Sequence, residues 1–292
     1  MEEEIPKILF NTSQSLQIEV MTFEQLFRKI SQSKDHNPFA PHKIEFYLVL
    51  VVTEGSYTHF VDFNDYALAP GSAIFIAKNQ VHHFTEKLTE AEGYGIIFSS
   101  TFMEEYYLLS GNRKFNRLFN YHIESPVIRT NEPEENVFSE IADHLYREFK
   151  FPNSFAKAEM LRTLLHVLLL KAERTKEMYS GRGAKKQWLE IFNSFKDLLE
   201  TDYEFTRNSR AYASKLLISY KFLNDVVKQL TGKTVKAFID DFVTMEIKRY
   251  LVSTSLSVKE ISYRTGFEDS ANMVKFFKRN AQTTPLKFRR AV

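Results

Sequence analysis

Two short sets of side chains carry the chemistry most worth following. Tyr220, Lys221, Asn224 and Asp225 form one; Ser270, Ala271, Asn272 and Lys275 form the other. Asparagine can pair bidentately with adenine, and lysine reaches guanine acceptors. Asp225 can accept from cytosine N4 or bridge to a neighbouring lysine. Around both sets stand Lys228, Lys278, Arg279, Arg289 and Arg290, with the hydroxyl of Ser219. Those groups suit phosphate oxygens, which position a protein on a duplex without reading its sequence. The residue types therefore point to base-edge and phosphate contacts with double-stranded DNA.

Such side chains need helices to present them. Ser219 and Asp269 are both good N-caps, because a short side-chain oxygen accepts from free helix N–H groups. Leu223 and Val227 follow the first at helical spacing, and Met273 and Phe277 follow the second. Each set is one buried stripe, which turns the polar residues outward. Lys228 and Lys278, Thr234 and Thr284, and Phe238 and Phe288 are identical pairs at the same offset of 50. A further helix precedes each. Ser209 is the expected cap of one, and Ser257 with Glu260 makes a capping box for the other. Gly266 is expected to end that helix in a left-handed C′ conformation. Ala213 and Ser262 are small where crossing helices approach. Val235 to Leu251 reads as a long amphipathic helix between the units. The layout is two helix-turn-helix units, whose second helices enter the major groove.

At Ile261, Ser262, Gly266-Phe267, Asp269, Phe277-Lys278, Thr284-Pro285 and Phe288-Arg289 the chain resembles the AraC/XylS family of bacterial transcription regulators. The likeness extends upstream through Tyr212-Ala213, Ser219, Leu223 and Gly232. It implies two readers in successive major grooves on one face of the duplex. Gln282 departs from a glycine in that pattern, Val243 from an arginine and Ser262 from an alanine.

The N-terminal part reads differently. Ile44 to Val52 is rich in β-branched and aromatic residues, and Glu54-Gly55, Asn64-Asp65 and Pro70-Gly71 are turn signals. Ala73–Ile76, Val81–Thr85 and Tyr94–Phe98 continue a series of short strands, as in a sandwich or small barrel. Val137, Ile141, Leu145 and Phe149 then recur at helical spacing. A second helix follows, with Met160, Leu161, Leu164, Leu165, Leu168 and Leu169, and completes an αα-hairpin. It is apolar on more than one face, so it is expected to pack against the barrel and against a second surface, either a dimer interface or ordinary core. Pro41-His42, Phe46-Tyr47, Gly55, Asp62-Phe63, Pro70-Gly71, Val81-His82 and Phe98-Ser99 resemble the family's cupin-like sensor domain. That resemblance implies a small-molecule effector inside the barrel. By residue type, Phe46, Leu48, Phe60, His82, Phe84 and Tyr94 are the candidates to line it. His42 is followed two residues on by Ile44, which breaks the paired histidines of a cupin metal site. His82 and His83, being adjacent, face opposite sides of a strand. No metal and no other cofactor is expected.

The chain has 292 residues, 43% hydrophobic, and no cysteine, which excludes disulfides and thiolate metal sites. The net charge of +2 hides an asymmetry. Residues 1–180 hold 18 Lys and Arg against 25 Asp and Glu, a net of −7, while residues 181–292 hold 21 against 12, a net of +9. A basic module attached to an acidic one suits a polyanion partner. No apolar run is long enough for a membrane span. The expectation is a two-domain α+β protein. Residues 1–178 form a cupin-like sensor and dimerisation barrel with an αα-hairpin, 179–186 a linker, and 187–292 an all-α domain of two helix-turn-helix units joined by a long helix. Its expected role is cytoplasmic, effector-controlled transcription regulation and not enzymatic. RNA polymerase is a candidate partner, and a homodimer through helices in 134–178 is expected. Two rivals are a cupin-type metalloenzyme with an accessory helical domain and an effector-independent DNA-binding protein.

Overall fold

Leu48 to Val52 is apolar at every position, which a strand wet on one face would not be. The computed structural model accounts for it by covering both faces. It describes residues 7–8, 16–33, 37–102, 118–121, 125–130, 136–152, 155–180 and 186–291. The strands are β1 (Lys7–Ile8), β2 (Ile18–Thr22), β3 (His42–Ile44), β4 (Tyr47–Gly55), β5 (Tyr57–Val61), β6 (Asn64–Leu68), β7 (Ser72–Ile76), β8 (Val81–His83), β9 (Ala91–Phe98) and β10 (Val127–Arg129). One sheet has the order β1-β3-β8-β5-β6 and the other β10-β7-β4-β9-β2. Pairing is antiparallel except between β1 and β3. Leu48, Leu50 and Val52 point between the sheets, with Ile74, Ile76, Val61 and Phe84. Val49 and Val51 point the other way, into a second core with Phe75, Phe98, Leu161, Leu165 and Leu168.

That second core is covered by the hairpin of α2 (Val137–Lys150) and α3 (Lys157–Ser180). On α2 the inward stripe is Phe138, Ala142 and Leu145, with Ile141 and Phe149 beside it. Buried Lys157 donates to the Phe149 carbonyl at 2.9 Å and to the Phe151 carbonyl, closing the end of α2. Helix α3 runs through Ser180, and the next helix opens at Lys186. Residues 181–185 of the expected 179–186 linker lie outside the described residues. A helix at 23–31 and the strands β1, β2 and β10 have no counterpart among the expected elements. Helix α1 (Phe23–Ser31) is closed by a capping box of Thr22 and Gln25 and lies on β9. Gly93 and Gly95 make room for it: a Cβ on Gly95 would stand 2.9 Å from the Leu26 side chain.

Residues 6–182 and 183–292 are separate compact units. The second is helical throughout: α4 (Lys186–Asp202), α5 (Ser209–Lys215), α6 (Tyr220–Thr231), α7 (Val235–Ser253), α8 (Val258–Arg264), α9 (Ser270–Ala281) and α10 (Pro285–Ala291). Helix α7 joins the two helix-turn-helix units as expected, but it is not amphipathic. Phe238, Ile239, Phe242, Val243 and Ile247 are buried on several sides, because α5, α6, α8, α9 and α10 all pack on it. A helix apolar around most of its circumference is a core element. Even its Glu246–Arg249 ion pair is buried. Among the described residues no helix is long and apolar enough to cross a membrane.

Candidate nucleic-acid interface

The caps set where each reading helix begins. The Ser219 side chain accepts from the Phe222 N–H at 3.1 Å, and Asp269 accepts from the Asn272 N–H at 2.7 Å. Each such cap contributes about 1 kcal/mol. Ser257 and Glu260 form the expected capping box at α8. At α5 the cap is Asn208, whose side chain accepts from Arg210, and Ser209 is already inside the helix. Leu223, Val226 and Val227 on α6, and Met273 and Phe277 on α9, are buried. The turns are tight: the Ile218 N–H donates to the Ala213 carbonyl at 3.1 Å, and Phe267 to Ser262 at 2.8 Å.

This geometry leaves Tyr220, Lys221 and Asp225 exposed on α6, and Ala271, Asn272 and Lys275 exposed on α9, with Ser270 partly so. Two asparagines are more committed than their type suggested. The Asn224 carboxamide oxygen accepts from the Val235 N–H at 3.1 Å, so it caps α7. The Asn272 amide donates to Asp269 at 2.6 Å, which orients it and leaves its oxygen to accept. Lys228, Lys278, Arg279 and Arg290 are exposed. Arg279 also lies 3.5 Å from Asp240. Arg289, read as a phosphate contact, is directed inward. It donates to the carbonyls of Leu251 at 2.9 Å and Leu256 at 2.6 Å, pinning α10 to the end of α7.

In the barrel, strand alternation sorts the six candidate lining residues. Phe46, Leu48 and Phe84 lie in the inner core, and His82 is buried on the inner wall. Phe60 and Tyr94 are not inside. On β5 the buried positions are Tyr57, His59 and Val61, so Phe60 faces out and stacks on His83 at 4.6 Å. On β9 the inner positions either side of Tyr94 are Gly93 and Gly95, and Tyr94 turns to α2, where its hydroxyl donates to Asp143 at 3.1 Å.

Residue type gave His82 but missed its polar partners on that wall, Tyr57 and His59. The Thr85 N–H donates to the Tyr57 hydroxyl at 3.3 Å, which frees the Tyr57 proton for His59 Nδ1 at 3.1 Å. His59 Nε2 then bonds His82 Nδ1 at 3.1 Å, and the His42 ring packs on His82 at 4.5 Å. Burial, reinforced by His83 and His42, lowers the His59 pKa to about 3. Burial raises that of Tyr57 to about 12. Both are neutral at pH 7. Nearby, Asp62 accepts from the Val81 N–H at 3.2 Å and from Gln80 at 2.9 Å. Among the described residues no three His, Cys, Asp or Glu side chains are arranged to hold a metal ion.

Comparison with known proteins matches both units. A helix-turn-helix domain family matches residues 212–291, and an AraC-like ligand binding domain family matches residues 25–169. The HTH-type transcriptional activator RhaS of Pectobacterium carotovorum is 21% identical over 258 residues, covering 86% of this chain and 88% of that protein. RhaS of Escherichia coli is 21% identical over 259 residues, covering 86% and 87%. Among solved structures, ToxT of Vibrio cholerae O395 aligns over 94% of this chain and 96% of its own, at 15% identity and a TM-score of 0.46. An unsaturated fatty acid bound ToxT from strain SCE256 aligns over 86% and 89%, at 13% identity and a TM-score of 0.44.

Proposed function

The chain belongs to the AraC family of transcription regulators, and on that premise we propose how its parts share the work. Residues 1–178 sense an effector and dimerise, and residues 187–292 read DNA. The first reader offers Tyr220, Lys221 and Asp225 to base edges, with Asn224 adding its amide N–H groups. The second offers Ser270, Ala271, Asn272 and Lys275. Ser219, Lys228, Lys278, Arg279 and Arg290 meet phosphates. Arg289 stays within the domain. The observation that carries this reading is the pair of capped helices, each with its apolar stripe buried and its polar face exposed in the same register.

The effector is taken up by the barrel, where neutral Tyr57 and His59, together with His82, supply directional hydrogen bonds in an otherwise apolar interior. Its binding favours a chain arrangement suited to the operator, which is a population shift. Dimerisation uses α3. Met160, Val167 and Leu170 are exposed there at spacings of seven and three, opposite the face that packs on the barrel unit. A single-helix apolar seam of that period suits a second copy of the same helix. Work of this kind is done in the cytoplasm, beside RNA polymerase.

Selection of duplexes from a random library by the full-length protein tests the reading. The expected product carries, for each bound chain, two short preferred segments about one helical turn apart. Scrambling either segment should weaken binding. Enrichment of one segment only, or of none, would overturn the proposal.

A further inference from the structure

If α7 alone joined the two readers, their separation would depend on one helix. A second connection is present. The loop between α4 and α5 lies directly on the turn of the second helix-turn-helix. Gly266 has φ +73°, and a Cβ there would stand 2.1 Å from the Glu204 carbonyl oxygen. From the same loop Arg207 donates to the Gly266 carbonyl at 3.0 Å. Its guanidinium lies 3.8 Å from the centre of the Phe267 ring. Phe267 is buried and packs on Phe276 of the second reader at 5.3 Å. Asp240 on α7 also acts on the Arg207 charge, and it bonds Lys236 at 3.2 Å as well as approaching Arg279.

An arginine that merely filled space would contact its own neighbourhood. Arg207 stands just before the first helix-turn-helix, yet its hydrogen bond and its ring partners belong to the second. Cation–π contacts strengthen as they are desolvated, and Arg207 is partly so. The bond to Gly266 adds direction, because a guanidinium donates from a rigid plane.

We propose that Arg207 is a positioning residue: it clamps the turn of the second helix-turn-helix to the entry of the first, and so makes DNA affinity depend on the spacing between the two segments. This rests on the two-reader assignment, and one arm of its test needs no DNA.

The chain lacks cysteine, so cysteines introduced at exposed Gln229 on α6 and Lys278 on α9 carry spin labels at known positions. With Arg207 in place, the distance distribution between the labels should be narrow. Arg207→Ala should broaden it, and Arg207→Lys, which keeps a cation over the ring, should restore most of the narrowness. Unlabelled full-length protein then binds the selected duplex with and without two base pairs inserted between the segments. The insertion should cost wild type about thirtyfold and Arg207→Ala less than about threefold, the difference of one desolvated cation–π contact. An unchanged distribution with an unchanged spacing penalty would overturn the clamp. So would failure of Arg207→Lys to restore either readout. Equal loss by Arg207→Ala on a duplex whose second segment is scrambled would mark general destabilisation and also overturn it.

Discussion

His59 ties burial to a measurable pH dependence. Its folded pKa is about 3, while an unfolded histidine titrates near 6.5. Between those values the unfolded chain binds a proton that the folded barrel refuses. The stability associated with neutral His59 is therefore complete above about 6.5 and is lost as pH falls toward 3. Burial lowers the pKa of His166 as well, which acts in the same direction. Going from pH 7 to 5.5 should cost the barrel unit about 1 kcal/mol through His59 alone. Urea unfolding followed by the β-sheet far-UV signal checks this. His59→Gln should flatten the pH dependence, and an unchanged slope would remove His59 as its source. At this scale the sequence is an uneven guide. Lys221, Asp225 and Lys275 are exposed where helical spacing put them. Asn224 and Arg289 have the right type for DNA, but the Asn224 carboxamide oxygen is used by the α7 cap and the Arg289 guanidinium by the α10 staple. Those partners are 11 and 38 residues away, and local pattern does not report contacts of that range.

Helix ends show why some elements were legible and others were not. Ser219, Asp269, Ser257 and Gly266 sit where the caps and the turn were expected, because capping chemistry is local. Helix α1 was missed because its stripe of Phe23 and Leu26 is short and runs on directly from strand β2. The sidedness of Phe60 and Tyr94 was missed because period-two alternation fixes a face only once the register is known. Helix α7 is legible as a long helix between the helix-turn-helix units, but a pattern of apolar residues does not reveal how many neighbours surround it. The glycines make a prediction at this scale. Gly232 ends α6 at φ +75° with nothing within 4 Å of a Cβ, so Gly232→Ala reports backbone strain alone. That should cost about 1–2 kcal/mol. Gly266→Ala adds a clash with a carbonyl at 2.1 Å and should cost clearly more. Denaturant midpoints of the two variants compare them directly, and equal losses would contradict the close approach of the 203–208 loop. Gln282, in the position of a second such glycine, takes φ 56° and donates from its side chain to the Arg279 carbonyl at 2.8 Å. The residue departs from the family pattern, but its left-handed conformation matches that of Gly232 at the end of α6.

The whole molecule joins an acidic sensing unit to a basic reading unit, and two properties of the assembly follow. The first is self-association. Val167→Asp with Leu170→Asp places charge on the exposed face of α3 and leaves the buried Leu161, Leu165 and Leu168 untouched. Sedimentation should show the wild type as a dimer and this variant as a folded monomer; a dimeric variant would move the interface elsewhere. The second is the form of the DNA site. Two readers held in one helical domain require two contacted grooves per chain, approached from one side. Binding should also weaken steeply with salt, as expected when several Lys and Arg replace counterions on phosphates. The most direct measurement is a hydroxyl-radical footprint of the full-length protein on its selected duplex. Two protected windows per chain, about one helical turn apart and on the same face, are the predicted result. A single protected window, or protection on opposite faces, would contradict the two-reader account.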